Sequence, residues 1–427
     1  MNGQAWAALL IFVASTAAAA SGKVKTATAS LIGASVMVAS GIITAEYAAA
    51  SIDYNTIGLL VGMMIVVGIL SKSGLFQFLA VRAIKITGGK PLLIFGIIAL
   101  LSAVLSAFLD NVTTVLLVTP VVLSLAELIE MKATPLLFME LFASNIGGAA
   151  TLIGDPPNMI IGSAAGFSFN DFLITAAPPS VLVLVVVTAY AAFHFRGSLR
   201  SNPSAAARLE EVDEKKLIIN RKLMIKSVII IAAVLCGFVL HGIFHLEASV
   251  VALSAAGVLL AISALDEGTI IHNEVEWPTI IYFISLFIMA GGLRETGVLE
   301  QASKLLVMLL AGSPLYMLLG VLWIAGLSCL FINNIAFTAI FVNIIPSMAQ
   351  AAGMEAMPLY WALALGACLG GNGTYFGAAA NAVVTDMASR EGINISFGQF
   401  AEIGIRVVII SLIISSAAVL YIGRAAL

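Results

Sequence analysis

One fixed offset of 223 residues brings the chain into register with itself, and this repeat constrains the fold more than any other feature. At that shift Thr56 meets Thr279, Ile57 meets Ile280, Gly68 meets Gly291 and Gly74 meets Gly297. Gly89 and Pro91 meet Gly312 and Pro314, and Asn111 meets Asn334. The run Gly147, Gly148, Thr151, Gly154 and Asn158 falls on Gly370, Gly371, Thr374, Gly377 and Asn381. Glycines agree by chance easily in an apolar chain. Asparagines, prolines and threonines agreeing in one ungapped register do not, and such self-similarity of two halves marks a repeat-built transporter.

The solvent of these halves follows from composition. Hydrophobic residues make up 61% of the chain and charged residues 10%, against roughly 25% charged in a soluble domain. The runs Trp6–Ala20, Ile57–Leu70, Leu92–Leu109, Val181–Phe193 and Val407–Ile422 approach the roughly 20 apolar residues that a bilayer crossing needs. A soluble fold would have to bury them all with too few polar residues to cover them. The N-terminal run has no basic segment before it, so it reads as a first spanning helix rather than a removed signal peptide. A net charge of −3 with no basic stripe excludes a nucleic-acid partner. Cys236, Cys329 and Cys368 are widely spaced in apolar segments, which suits neither a disulfide framework nor a metal site.

The polar stretch 196–226 separates the halves and carries Arg196, Arg200, Arg208, Lys215, Lys216, Arg221, Lys222 and Lys226. The positive-inside rule makes this linker cytoplasmic, along with Lys23, Lys25, Lys72, Arg82, Lys85 and Lys90. The second-half counterpart of the latter segment has only Arg294 and Lys304, which suits the outer face. Equivalent segments thus lie on opposite sides, so the repeats are inverted and each crosses an odd number of times. The expected fold is an all-α polytopic membrane protein. Its first repeat is 1–195, with scaffold helices in 4–71 and transport elements in 90–195; its second is 227–427, with scaffold helices in 227–292 and transport elements in 313–423. Leading helices are expected at 4–20, 27–46, 227–243 and 247–265, third helices at 55–71 and 278–292, and amphipathic stretches at Phe76–Thr87 and Leu299–Leu310. Five crossings per half result if the arms around Asp110-Asn111 and Asn333-Asn334 form re-entrant hairpins. Their polar tips then sit at membrane mid-depth, tolerable only inside protein or against a cavity. A Gly-interrupted broken span and a closing helix complete each half.

The tips and broken spans carry the chemistry. Gly and Pro unwind the helix there, and half-helix ends add partial charges. Asn111, Asn145, Asn333, Asn334, Asn372 and Asn381, with Thr113, Thr114, Thr151, Thr338 and Thr374, supply neutral donors and acceptors for a dehydrated cation or a hydroxylated solute. Asn158 is a further candidate ligand, and all of these residues also suit satisfaction of the unwound backbone. Asp110 and Asp155 are the leading candidates for proton coupling, because a carboxylate at the bilayer centre costs about 2.5–3.5 kcal/mol even on insertion scales. Asp110 also suits a helix N-cap. Glu140 and Arg406 are accessory candidates, the latter as a partner for a buried carboxylate; Glu127 also lies in an apolar stretch. Cys329 and Cys368 are accessory candidates by position, although a free Cys in a helix is usually a packing residue. His241 and His245 read as outer-interface residues.

The stretch Ser144-Asn145-Ile146-Gly147-Gly148-Ala149-Ala150-Thr151-Leu152-Ile153-Gly154-Asp155-Pro156-Pro157-Asn158, with the asparagine-bearing tips, resembles the ion transporter superfamily. That group includes the ArsB and NhaD permeases, the melanosomal P protein and the sodium–dicarboxylate carriers. In the dicarboxylate branch the tips read Ser-Asn-Thr and bind sodium; here they read Asp110-Asn111-Val112 and Asn333-Asn334-Ile335, and Asp155 stands where that branch tends to have Thr. The departures are similar to the ArsB and P-protein branches. The resemblance implies proton-coupled efflux of arsenite or antimonite across the inner membrane, with a sodium/proton antiporter or an anion carrier as the alternatives. It also implies a homodimer and leaves room for a separate ATPase subunit. No cofactor is implied. The chain has no P-loop of its own, nor HExxH or GxSxG, so it reads as a carrier rather than an enzyme.

Overall fold

A computed structural model describes residues 3–20, 24–199, 213–244, 246–310 and 313–426. Lys23, Arg200, Arg208, His245 and Gly312 lie outside the described residues. Every regular element among the described residues is helical. The first half comprises α1 (Gly3–Ala20), α2 (Thr26–Ala39), α3 (Ala45–Ala50), α4 (Tyr54–Ser71), α5 (Leu75–Lys85), α6 (Pro91–Phe108), α7 (Asn111–Leu128), α8 (Ala133–Gly148), α9 (Pro156–Ala165), α10 (Phe169–Thr175) and α11 (Ala177–His194). The second comprises α12 (Arg221–Phe244), α13 (Ala248–Ser263), α14 (Glu267–Glu274), α15 (Trp277–Glu295), α16 (Val298–Leu310), α17 (Pro314–Ser328), α18 (Asn334–Phe341), α19 (Ile345–Ala352), α20 (Met357–Gly370), α21 (Ala379–Arg390) and α22 (Phe397–Ala426). Seven of the described helices are long and apolar enough to cross a bilayer, or nine if each of two bent pairs counts as one span.

The repeat is written into the backbone as well as the sequence. Helix starts pair at the 223-residue offset: Tyr54 with Trp277, Leu75 with Val298, Pro91 with Pro314, Asn111 with Asn334, Pro156 with Ala379. Left-handed residues pair too. Gly74 (φ +83°) matches Gly297 (+75°), and Gly41 (+71°) matches Ala264 (+60°). Glu130 (+55°) matches Gly353 (+64°). The two non-glycine positive-φ residues among those described therefore occupy turns where the other repeat uses glycine, the residue that adopts this conformation without a Cβ clash. One expectation fails here. The helix drawn over 27–46 stops at Ala39, because the chain turns through left-handed Gly41 and restarts at Ala45 behind the Thr44 cap. A second asymmetry lies in the hairpins. Pro120 sits inside the continuous α7, whereas at its counterpart, Asn343, the helix breaks into α18 and α19 with a 52° bend.

Inversion is visible in the packing. The GxxxG pair Gly58 and Gly62 lets α4 approach α13 closely: a Cβ on Gly62 would lie 2.6 Å from the Ala252 carbonyl carbon, and one on Gly58 would lie 3.0 Å from Ser249. The start of α4 touches the start of α13, with Asn55 Oδ1 accepting from Ser249 N–H at 3.1 Å. The end of α4 meets the end of α14, where Lys72 pairs with Glu274 at 2.6 Å. So α4, third in its repeat if the six-residue α3 is set aside, runs parallel to α13, second in the other. The linker's end docks on the same edge. Ile219 N–H donates to the Ser73 carbonyl, and Glu214 grips Lys85 (2.6 Å) and Arg82 (2.8 Å) on α5. These cations, Lys85 foremost, hold the Glu214 carboxyl down at about 2.

Candidate functional site

Each broken span is fastened to its own hairpin in the same way. Gly147 lies where a Cβ would meet the Ala103 carbonyl oxygen at 2.2 Å, and Gly370 likewise meets that of Gly326 at 2.5 Å. Gly154 abuts the Ser106 carbonyl and Gly377 that of Cys329, at 2.5 and 2.8 Å by the same measure. Such approaches need glycine. The Thr151 hydroxyl donates to the Ala107 carbonyl, and the Thr374 hydroxyl to that of Leu330. Asn158 Nδ2 donates to the Thr151 and Gly148 carbonyls (2.8 and 3.2 Å), while Asn381 Nδ2 serves those of Thr374 and Gly371 (2.8 and 2.7 Å). These four side chains satisfy carbonyls freed where the helices unwind, a need that buried backbone cannot leave unmet.

The two repeats are then joined to each other. Asn145 Nδ2 donates across the interface to Asn381 Oδ1 and Asn372 Oδ1, both at 3.0 Å. At the repeat-equivalent place the Cys368 thiol donates to Asn158 Oδ1 at 3.3 Å. Cys368 thus makes with a thiol the bond that Asn145 makes with an amide.

At the meeting point lies Asp155, fully buried. It starts α9, yet its carboxylate caps nothing. It accepts instead from Asn111 Nδ2 at 3.2 Å and from Asn334 Nδ2 at 3.4 and 3.2 Å. Asn111 Nδ2 also donates to Asn145 Oδ1 at 3.1 Å. One carboxylate therefore holds both hairpin tips. In inverted repeats the tips enter from opposite faces, so they share a group only if both reach the interior. This geometry makes the hairpins re-entrant although α6 and α7 are each 18 residues long.

The other candidates are placed as follows. Asp110 caps α7, accepting from Thr113 N–H at 2.9 Å and from the Thr113 hydroxyl, and its counterpart Asn333 caps α18 through Ile335 N–H at 3.0 Å. The hydroxyls of Thr114 and Thr338 and the amide nitrogen of Asn372 are buried without a hydrogen-bond partner among the described residues. Glu140 is fully buried beside Thr119 (2.6 Å), with its second oxygen unpartnered. Glu127 is exposed. Cys329 is buried against the broken span. Arg406 corrects the expectation of a buried counter-ion: it is exposed and pairs with Glu402 one turn away at 2.9 Å, because its face of α22 points away from the core. His241 is buried as a brace, with Phe169 N–H donating to Nε2 at 3.2 Å and Nδ1 2.9 Å from the Leu246 carbonyl.

Above the tips lies a cavity of about 740 Å³ bounded by Asp110, Val112, Asn333 and Ala378 on one side and by α2, α4 and the start of α15 on the other. Lys25 and Glu276 also line it. The sequence reading passed over both as site residues. Glu276 had a signal, since it stands at the counterpart of Asp53, the α4 cap. No group of three or more His, Cys, Asp or Glu side chains suited to a metal ion occurs among the described residues.

Residues 10–366 match the citrate transporter family, CitMHS. An uncharacterized transporter of Mycobacterium tuberculosis is 39% identical over 96% of each chain. The P protein of Mus musculus is 30% identical over 84% of this chain, which spans 53% of that longer protein. The crystal structure of the YdaH transporter from Alcanivorax borkumensis covers 87% of this chain and 86% of its own, with TM-score 0.55 at 15% identity, a likeness of fold.

Proposed function

The chain belongs to the citrate transporter family, a membrane transporter of the CitMHS and P-protein type, and from that premise we propose that it is a secondary carrier whose coupling cation, a proton in the first instance, binds at Asp155. The observation that carries this reading is the sharing of one buried carboxylate by both tips. Charging or neutralising Asp155 changes the pull on Asn111 and Asn334 together, so a single binding event alters both hairpins. A buried carboxylate with amide partners and no cationic one among the described residues suits reversible cation binding.

The moving body in this reading comprises the hairpins and broken spans (90–195 and 313–423), and the remaining helices form the scaffold. The cavity of about 740 Å³ lies on the seam between them, on the edge where the linker docks, which supports an inward-open carrier if 196–226 is cytoplasmic. A cell-membrane location follows from the same reading. The cargo is a small oxygen-rich solute that is neutral or travels paired with a cation. Two carboxylates against one lysine in the cavity disfavour a free polyanion. Arsenite or antimonite as neutral hydroxides fits the donor set, although the relatives' names point elsewhere. Citrate accompanied by a divalent cation fits Lys25 with Asp110 and Glu276. Sodium/proton exchange uses the same groups.

Purified protein in proteoliposomes under an imposed pH gradient, offered citrate with and without magnesium, sodium, and arsenite in turn, tests the reading. Gradient-dependent flux of one of them is expected. Arsenite flux that ignores the gradient, or sodium or citrate flux that follows only its own gradient and the membrane potential, would make the protein a channel or uniporter and refute it.

A further inference from the structure

The inverted repeats predict matching seals on the two faces, yet the faces differ. The large cavity lies at the start of α15. At the other end of α15 the same seam narrows to a cavity of about 160 Å³ lined by Asp53, Ser163, Phe287, Arg294 and Asn343. Phe287 here is the repeat counterpart of Met64 in the large cavity, and Asp53 that of Glu276. The two spaces are therefore the same seam seen from opposite sides, one wide and one narrow.

Arg294 bridges the narrow side. From the end of α15 its Nε donates to the Tyr47 hydroxyl on α3 at 3.2 Å, with the guanidinium 6.0 Å from that ring. Its second arm donates to Asn343 Oδ1 at 3.4 Å, in the break between α18 and α19. Asn343 is held ready, its Nδ2 donating to the Ala339 carbonyl at 2.8 Å. Tyr47 and Arg294 belong to the scaffold of the proposed carrier and Asn343 to its moving hairpin. On the wide side the counterparts of Arg294, Tyr47 and Asn343 are Ser71, Ile270 and Pro120. None of these can rebuild the bridge: Ser71 is short, Ile270 is apolar, and Pro120 has neither a side-chain acceptor nor a backbone N–H.

We infer that Arg294 is a positioning residue that latches the outer side of the seam through Asn343, and that this one-sided latch biases the carrier at rest toward the linker-side-open state. The inference rests on the moving-hairpin reading above. A state open on the other side must part Arg294 from Asn343, and no equivalent contact forms in exchange. Exposed hydrogen bonds to a charged group are modest in energy. Loss of the latch therefore shifts the balance by about three- to tenfold without abolishing either state.

The test needs no cargo. In a Cys236→Ser background, which removes the exposed native thiol, Ser163→Cys reports on the small cavity and Ala382→Cys on the large one. A membrane-impermeant maleimide is applied from outside to right-side-out vesicles and from the linker side to inverted ones. Arg294→Ala is expected to raise Ser163→Cys labelling three- to tenfold and to slow Ala382→Cys labelling. Asn343→Ala, which cuts the bridge from the other end, should do the same, and Arg294→Lys should fall between. Thermal melts confirm that each variant is folded. Unchanged labelling of both reporters in folded Arg294→Ala and Asn343→Ala overturns the latch. Asp155→Asn in the same assay separates the levels: if it shifts the two reporters and Arg294→Ala does not, the carrier reading stands and the latch falls. If neither substitution moves either reporter, the two sides do not exchange, and the moving-hairpin reading falls with the latch.

Discussion

Moving the buried carboxylate across the repeat axis tests whether the site is a shared property of the two halves. Asp155→Ala takes both acceptors from Asn334 Nδ2 and one of two from Asn111 Nδ2, which keeps Asn145 Oδ1. A stranded buried donor costs about 1–3 kcal/mol, and the second, partly compensated loss adds about 0.5–1.5 kcal/mol. Removing a buried carboxylate that lacks a cationic partner returns part of this. A net loss of about 1–3 kcal/mol is expected. Ala378 is the counterpart, and its backbone (φ −141°, ψ 148°) closely matches that of Asp155 (φ −142°, ψ 133°). It also lies beside Asn334, since a Cβ on Gly371 would approach both the Ala378 Cβ (3.2 Å) and Asn334 Nδ2 (3.5 Å). Ala378→Asp added to Asp155→Ala should recover at least about half of the loss, whereas Ala378→Asp alone sets two carboxylates against the same amides and destabilises. Equilibrium unfolding in mixed micelles measures the cycle. An additive double mutant would refute the claim that the two positions serve one site.

Three further outcomes follow from the same contacts. Gly147→Ala forces a Cβ onto the Ala103 carbonyl and should cost about 2–4 kcal/mol, read by the same unfolding assay, while Gly96→Ala, with open space around it, should be near neutral. Ala264→Gly relieves left-handed strain of about 1–2 kcal/mol against an entropic cost of about 0.5–1 kcal/mol, so it should leave stability unchanged or raise it slightly, and a clear loss would contradict the backbone assignment. The lowered Glu214 carboxyl makes the linker dock favourable above the ordinary carboxylate range and lost only as pH falls through about 2; protease cleavage near Asp213 should therefore be no faster at pH 5 than at pH 7, and Glu214→Gln should accelerate it at both.

The sequence showed the fold wherever the repeat was marked by residues that the backbone needs. Gly147 and Gly370 are legible because only glycine permits that approach, and Asn158 and Asn381 because both halves unwind at the same place. The left-handed turns at Glu130 and Ala264 were hidden, since neither residue advertises positive φ and only the other repeat's Gly353 and Gly41 betray them. The break at Ser40–Thr44 was lost for a similar reason: the apolar run continues through it while the chain turns. Cys368 was legible as a candidate from its repeat position at Asn145, but a thiol gives no sign that it makes the amide's bond. Asp110 and Asp155 were both legible as proton-coupling candidates, with a cap legible only for Asp110, and burial now separates them. One caps a helix at the cavity's edge, and the other binds two tips at the centre. Arg406 misled because an isolated charge in an apolar helix looks buried until the helix's outward face is known.

Asp155 is, in the proposed carrier, the group that couples cation binding to movement of both hairpins. Asp155→Asn keeps one oxygen for the tip amides and removes the charge, so the protein should stay folded. Reconstituted in proteoliposomes beside the wild type, it should lose at least about tenfold of the pH-gradient-driven flux of whichever cargo the wild type carries, about 1.4 kcal/mol of lost coupling. Downhill exchange of that cargo should persist. A folded Asp155→Asn protein that retains full gradient-driven flux would contradict the account.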